Sequence, residues 1–244
     1  KVDRQSSFDA HVSPAYLVPR KDDQRSARVI IDYRKLNNLI CNPYPLMPDA
    51  NDLIHKLRKF HLFTTTDFLS AYFSVTLSPE SRYLTKFVAG TSTFQFKRLP
   101  MGLNAIPTYF RMFAMRALHN KPIIDKDGTY KKDKDGFLLL EDDYLSNVFL
   151  FYDDLVIAST IQNTYEESLR LHFKMVDKVF KRLSIHKTKI SLDKTVFGTF
   201  QIQFLGWEIC NGKIYPQKRR IEKLLQAKLP ESKKDARSLL GLFN

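Results

Sequence analysis

Two adjacent carboxylates, Asp153 and Asp154, interrupt an otherwise apolar run, Val148-Phe149-Leu150-Phe151-Tyr152-Asp153-Asp154-Leu155-Val156-Ile157-Ala158. The short apolar segments on either side predict two strands of a hairpin, with the acids at the tight turn between them. No cation accompanies the acids in this stretch, and unpaired charge in apolar surroundings is costly. Proteins keep such an arrangement mostly where a metal ion or a reaction needs it. Asp67 lies in a similar context, Leu62-Phe63-Thr64-Thr65-Thr66-Asp67-Phe68-Leu69-Ser70-Ala71-Tyr72. One acid at a strand end and two on a hairpin make a three-carboxylate cluster. Such a cluster can hold two divalent ions in line with a phosphoryl group.

The chain has 244 residues, enough for one large domain or two subdomains with a real core. An apolar content of 43% argues against disorder. No apolar run reaches transmembrane length, and the first residues carry no secretory pattern. Cys41 and Cys210 lack the spacing of a zinc site or a disulfide framework, so a reducing, intracellular setting is expected. The opening Lys1-Val2-Asp3 lacks a Met, which suggests a piece of a longer polypeptide. The net charge of +13 points to an anionic partner, most economically nucleic acid, although soluble basic proteins are common.

Ala15-Tyr16-Leu17-Val18 and Val29-Ile30-Ile31 flank a polar stretch, a hairpin pattern with a basic tip. Leu53, Ile54, Leu57 and Phe60 give helical spacing over 49–60. Strands are expected at 62–67 and 73–77, and a helix at 102–118 with Pro107 near its first turn. Residues 121–143, rich in charge of both signs, read as an exposed loop or hairpin. Its Asp142-Asp143 pair serves as a control: the same dipeptide in a charged setting, expected to be solvated surface, as is Asp22-Asp23. Thr164 and Glu167 have capping-box spacing, ahead of a helix with Tyr165, Leu169, Phe173, Val176, Phe180 and Leu183 on one face. Residues 200–210 read as a strand, Asn211-Gly212 as a hairpin turn, and 218–229 as a basic amphipathic helix.

Several segments, in chain order, carry a resemblance. They are Ser13-Pro14-Ala15-Tyr16-Leu17-Val18-Pro19-Arg20-Lys21-Asp22, Arg28-Val29-Ile30-Ile31-Asp32-Tyr33-Arg34-Lys35-Leu36-Asn37 and Tyr44-Pro45-Leu46-Met47-Pro48. Further along come Thr66-Asp67-Phe68-Leu69-Ser70-Ala71-Tyr72, Phe96-Lys97-Arg98-Leu99-Pro100-Met101-Gly102-Leu103-Asn104-Ala105-Ile106-Pro107 and Phe151-Tyr152-Asp153-Asp154. Phe204-Leu205-Gly206 and Arg237-Ser238-Leu239-Leu240-Gly241-Leu242 close the series. Together they resemble reverse transcriptases, most closely those of gypsy-type long-terminal-repeat retrotransposons and more distantly the retroviral enzymes. Any one motif is weak, but the collinear set is strong. Phe151 stands where that family usually has Tyr, and 121–143 reads as an insertion.

The resemblance implies an α+β, right-hand polymerase fold with an antiparallel palm sheet backed by helices. Fingers are expected from 1–60 and 73–100, palm from 61–72 and 101–215, and the start of a truncated thumb from 216–244. The implied activity is RNA-directed DNA polymerisation. Asp67, Asp153 and Asp154 become ligands of two Mg²⁺, with Mn²⁺ as a substitute, and the Phe68 carbonyl completes one site. Lys21 and Arg28 clamp the nucleotide phosphates. Leu69, Tyr72 and Met101 face the nucleotide, Tyr72 excluding a 2′-hydroxyl by sterics. Leu205, Gly206 and Trp207 support the primer end. In isolation Tyr72 and Trp207 would read as core, and Lys21 and Arg28 as a solvated basic turn. Implied partners are an RNA and DNA template–primer, deoxynucleoside triphosphates, and RNase H and integrase regions of the same polyprotein, with no membrane. The implied location is a cytoplasmic particle or the nucleus. A catalytically silent nucleic-acid-binding module and an RNA-dependent RNA polymerase are the alternatives.

Overall fold

In the computed structural model the described residues are 12–19, 27–40, 47–132, 134, 139–227 and 229–243. Lys21, Asp22-Asp23, Cys41 and Tyr44-Pro45-Leu46, with the expectations placed on them, lie outside these. Along the chain come β1 (Ser13–Pro19), β2 (Ala27–Ile31), α1 (Arg34–Asn37), α2 (Ala50–Leu57), β3 (Leu62–Asp67), α3 (Pro79–Arg82), β4 (Phe87–Ala89) and β5 (Ser92–Phe94). Next are α4 (Ile106–His119), β6 (Asn120–Pro122), β7 (Leu140–Asp142), β8 (Val148–Phe151), β9 (Asp154–Ser159) and α5 (Tyr165–Ile185). The chain ends with β10 (Val196–Thr199), β11 (Gln201–Phe204), β12 (Trp207–Cys210), β13 (Lys213–Pro216), α6 (Lys218–Leu225) and α7 (Lys233–Phe243). The described residues divide into two compact units, one within Lys1–Met47, Phe68–Leu145 and Lys181–Ser191, the other within Pro48–Asp67, Ser146–Phe180 and Leu192–Asn244.

The second unit holds an antiparallel sheet in the order β10-β3-β9-β8 and a β11-β12-β13 meander. Asp49 caps α2, accepting the Asn51 amide at 2.7 Å, and the helix then buries Leu53, Ile54 and Leu57. These pack with Phe63, Phe149, Val156 and Ala158 of the sheet and Ile202, Phe204 and Ile209 of the meander. Because strand side chains alternate, Asp67 and Asp154 share this face with Phe63, Val156 and Ala158.

Thr64 points to the other face. Its hydroxyl meets His172 Nε2 at 2.8 Å, and Ser159 Oγ meets Nδ1 at 2.9 Å. Thr64 Oγ1 also accepts the Gly198 amide at 3.2 Å. Fully buried, His172 therefore ties α5 to β3, β9 and β10 as a neutral ring; burial lowers its pKa to about 4.

In the first unit, strands β2-β1-β4-β5 form a sheet in which β1 and β4 are parallel. Tyr33, Leu36, Leu99, Leu103 and Ile106 form its core, with Tyr72 packed alongside. Asn37 ties the core to the segment before α4: its Nδ2 donates to the Gly102 carbonyl and its Oδ1 accepts the Asn104 amide, both at 2.9 Å.

Several expectations need correction. Residues 73–77 form no strand: Ala71–Ser74 is a 3-10 turn, and only Thr76 bridges, to Arg98. Ser70, at φ +53°, bends the chain too sharply for β3 to continue into an extended partner. The segment 200–210 is two strands, because Leu205 and Gly206 both take positive φ (+51° and +83°) and fold it into a hairpin. The expected helix at 102–118 begins at Ile106, after a glycine at φ +101°. The basic helix expected over 218–229 ends at Leu225.

The buried face of α5 runs through Ser168, His172, Val176, Val179 and Leu183, while Tyr165 and Phe173 are exposed. Two polar residues satisfied by hydrogen bonds hide this face from an apolar pattern. Asp143 is not solvated surface either. It pairs with Arg182, whose side chain is only 4% exposed and which also donates to the Leu118 and Asp143 carbonyls.

Candidate active site

Strands β8 and β9 form the expected hairpin, with Tyr152 and Asp153 as the turn and Tyr152 at φ +52°. A non-glycine residue there accepts a left-handed backbone so that the turn can match the strand twist. Asp154 opens β9 and pairs in register with Asp67, the last residue of β3. Sequence-distant acids thus become direct neighbours, with Asp153 exposed on the adjoining turn.

On the other side of Asp67 lies Lys194, two residues before Val196, which pairs with Thr65. The Lys194 ammonium donates to Asp67 Oδ2 at 3.0 Å, and the Thr66 and Thr195 hydroxyls meet at 2.7 Å beside it. Asp154, Asp67 and Lys194 therefore form a row across β9, β3 and the approach to β10. No local motif in the sequence marks Lys194: it is separated from Asp67 by 127 positions and sits in a turn.

The electrostatics follow from this row. Burial, then the charges of Asp153 and Asp67, raise the Asp154 carboxyl to about 6. Asp67 holds the Lys194 ammonium above its ordinary range. Among the described residues no group of three or more His, Cys, Asp or Glu is gathered at metal-holding geometry as the side chains lie. The donor set nonetheless suits a hard divalent cation. It is all carboxylate oxygen, and its excess negative charge is offset by one exposed lysine.

The remaining predicted residues fall as follows. Phe68 is buried in the first unit, bridges to Ile190, and meets Phe110 edge-on at 5.2 Å. Leu69 is exposed, its amide donating to the Lys189 carbonyl at 2.9 Å. Tyr72, half-buried, lies edge-on to the same Phe110 ring at 5.6 Å. Met101 is exposed, on the turn held by Asn37. Arg28 is exposed on β2, opposite Val18. Leu205 and Gly206 form the β11–β12 turn and Trp207 opens β12.

A model of the reverse transcriptase (RNA-dependent DNA polymerase) family matches residues 18–209. The chain belongs to that family. Among curated relatives, the retrovirus-related Pol polyprotein from transposon 297 of Drosophila melanogaster is 29% identical over 98% of the chain. The transposon Tf2-3 polyprotein of Schizosaccharomyces pombe is 27% identical over 95% of it. Both are retrotransposon proteins, as the gypsy-type resemblance implied. The chain spans only 20% and 15% of these relatives' lengths. Among solved structures, the foamy viral protease-reverse transcriptase in complex with double-stranded DNA superposes with a TM-score of 0.73 at 21% identity, covering 96% of this chain and 35% of that one. The same viral protein with an RNA/DNA hybrid gives 0.68 at 22% identity, covering 96% and 27%. The polymerase fold expected from the motifs is therefore the fold observed.

Proposed function

We propose that this chain is the fingers and palm of an RNA-directed DNA polymerase that adds deoxynucleotides to a primer 3′ end. The observation that carries the reading is the register pairing Asp67 with Asp154, with Asp153 on the adjoining turn, in a chain of the reverse transcriptase family. Fingers are assigned to 1–60 and 73–100, palm to 61–72 and 101–215, and the start of the thumb to 216–244.

Asp67, Asp153 and Asp154 would hold the divalent ions, with the carbonyl of Phe68 completing one site. Two Mg²⁺ bound there would supply Lewis acidity toward the attacking hydroxyl and the leaving pyrophosphate. Lys194, at 3.0 Å from Asp67 Oδ2, would offset part of the negative charge of the carboxylates that hold the ions. Lys21 and Arg28 are assigned to the incoming phosphates, Leu69, Tyr72 and Met101 to the nucleotide, and Leu205, Gly206 and Trp207 to the primer end. The natural setting proposed is a longer polyprotein with RNase H and integrase regions, acting inside the cell in a cytoplasmic particle or the nucleus. No described helix is long and apolar enough to cross a membrane.

The test is extension of a primer on an RNA template in Mg²⁺, with deoxynucleotides and ribonucleotides compared. Deoxynucleotide incorporation is expected, with ribonucleotides strongly disfavoured. Tyr72→Val should raise ribonucleotide use relative to deoxynucleotide use. Duplex binding without any incorporation would establish a silent binding module instead. Equal use of ribonucleotides by the unaltered chain would establish an RNA polymerase.

A further inference from the structure

The outer side of α5 carries a stripe that is its own electrostatic complement. α5 is a single uninterrupted helix from Tyr165 to Ile185. Beside its buried face, Glu166, Arg170, Phe173, Asp177 and Lys181 recur at steps of four, three, four and four residues, the spacing of a straight line along a helix. All five are exposed, Phe173 at 43%. In chain order the stripe runs acid, base, ring, acid, base. Turned end for end it runs base, acid, ring, base, acid.

A second copy of the helix, lying antiparallel with its midpoint at Phe173, therefore sets Lys181 opposite Glu166 and Asp177 opposite Arg170. A two-fold axis repeats both pairs and brings ring to ring at the centre. A parallel neighbour in register would face every charge with its like. The spacing of four within the stripe also supports the helix itself, but that role asks nothing of a ring at 173.

That ring belongs to a larger apolar seam where α5 meets β10. A Cβ on Gly198 would stand 3.2 Å from the Phe173 Cζ, so the ring lies directly over the strand backbone. Tyr165 meets Phe200 at 5.8 Å and Phe180 meets Phe197 edge-on at 6.1 Å. Tyr165, Phe197 and Val196 keep 57%, 46% and 50% exposure, so the seam faces solvent as an apolar strip beside ordered charges. Such a strip marks a contact with another protein surface.

We propose that this stripe is an interface between two copies of the chain, packed α5 against α5 in antiparallel, two-fold order. The inference uses no step of the polymerase reading. Opposed charges set orientation and register, and the rings supply the apolar area. A contact built on one helix pair lies at the small end of specific interfaces, so a reversible dimer in the micromolar range is expected. Each chain carries a net charge of +13. At about 0.15 M salt the Debye length is about 8 Å, which damps that overall repulsion more than it weakens pairs in contact.

The test is sedimentation velocity of the full chain over a concentration series at that salt, with circular dichroism to verify the fold of each variant. R170D sets an acid against Asp177 of the other copy, twice per dimer, and D177R sets a base against Arg170. Each alone should weaken self-association by about tenfold or more. Mixed one to one, the two variants are complementary again, and dimer should return to near the level of the unaltered chain. R170D/D177R should self-associate too, although its pairs at a spacing of four now carry like charges. Mixing changes nothing inside a helix, so recovery on mixing identifies contacts between copies. An unaltered chain that stays monomeric well beyond micromolar concentration would overturn the proposal. A dimer indifferent to both reversals would do the same by placing the interface elsewhere. Variants that remain monomeric when mixed would confine these charges to their own helix and end the inference.

Discussion

The chain contains two Asp-Asp dipeptides whose surroundings the fold describes closely, and each sends one carboxylate partly inward. Asp143 meets Arg182, a nearly buried guanidinium with further bonds to the Leu118 and Asp143 carbonyls. Asp154 meets Asp67 and Asp153 instead, and its carboxyl rises to about 6. The first pair is internally neutralised, and the element it secures is the base of the charged segment after α4. The second is left short of positive charge, with exposed Lys194 as partial relief. Burial of an acid is therefore not what separates the two pairs. What separates them is whether the chain itself supplies the matching cation.

Neutralising one member of each dipeptide should divide them most sharply. Asp153→Asn is expected to lower nucleotide incorporation by more than about 100-fold, beyond what loss of a group that merely orients a metal ligand usually costs. Asp142→Asn, an exposed residue bonded to Asn120 at 2.8 Å, should leave incorporation unchanged and stability within about 0.5 kcal/mol. Single-turnover extension and thermal melts of both variants measure this. Near-normal extension by Asp153→Asn would end the metal-ligand assignment.

The Asp153-Asp154 pair is legible in the sequence and the role of Asp143 is not, for one reason. An apolar run with acids at its centre is a local signal, and so is Asn211-Gly212, whose positive φ values of +49° and +72° make the expected turn. The Thr164 hydroxyl likewise accepts the Glu167 amide at 3.1 Å, as the capping spacing implied. The charged neighbours of Asp143 point to solvent, whereas its partner Arg182 lies 39 positions away. Lys194 and His172 escape a reading of the sequence on the same ground. Each is explained by a residue more than 100 positions distant, Asp67 or Thr64. Polar residues that find buried partners break the hydrophobic period on which the expected face of α5 rests. Segments such as 73–77 fail differently, since one left-handed residue, Ser70, redirects a chain that its composition would extend.

Stability should show an asymmetry within the Arg182–Asp143 pair. Asp143→Ala strands a guanidinium whose side chain is 4% exposed, and such a loss costs about 3 kcal/mol or more. Arg182→Met leaves an aspartate that retains 27% side-chain exposure and can take up water, so about half that cost is expected. Urea denaturation of the two single variants and the double variant gives the coupling directly. Equal, near-zero effects would mean that the pair is not what secures this segment.

His172 extends the same contrast to a base. Its ring is kept neutral between two hydroxyls, and its folded pKa of about 4 lies below the ordinary 6.5. Folding therefore favours the neutral form. The stability this contributes is present above pH 6.5 and is lost as pH falls toward and through 4. His172→Phe removes that acid sensitivity but leaves the Ser159 and Thr64 hydroxyls without their partner, at a cost of about 1–3 kcal/mol at neutral pH. Urea denaturation of both proteins between pH 4 and 7 measures the two effects together, and parallel pH profiles would mean that His172 is not the group that titrates.

The smallest expected effect has the opposite sign and bears most directly on the carboxylate cluster. The Asp154 carboxyl titrates near 6 in the folded chain rather than 3.8, so folding favours its protonated form. The resulting stability is fully present below about pH 4 and is lost as pH rises through 6. At about pH 7.5 without divalent ions, Asp154→Asn should remove this destabilising charge and raise Tm by about 2–4 °C, the shift that follows from roughly 1 kcal/mol in a chain of this size. Near pH 4, where Asp154 in the unaltered protein is already protonated, the gain should disappear. Added Mg²⁺ should narrow the difference at the higher pH by stabilising the unaltered protein alone, because the variant lacks one of the proposed ligands. Thermal melts at the two pH values, with and without Mg²⁺, separate these contributions. A Tm lowered by Asp154→Asn at the higher pH in the absence of metal would mean that Lys194 already balances the cluster, and the case for a missing cation there would fail.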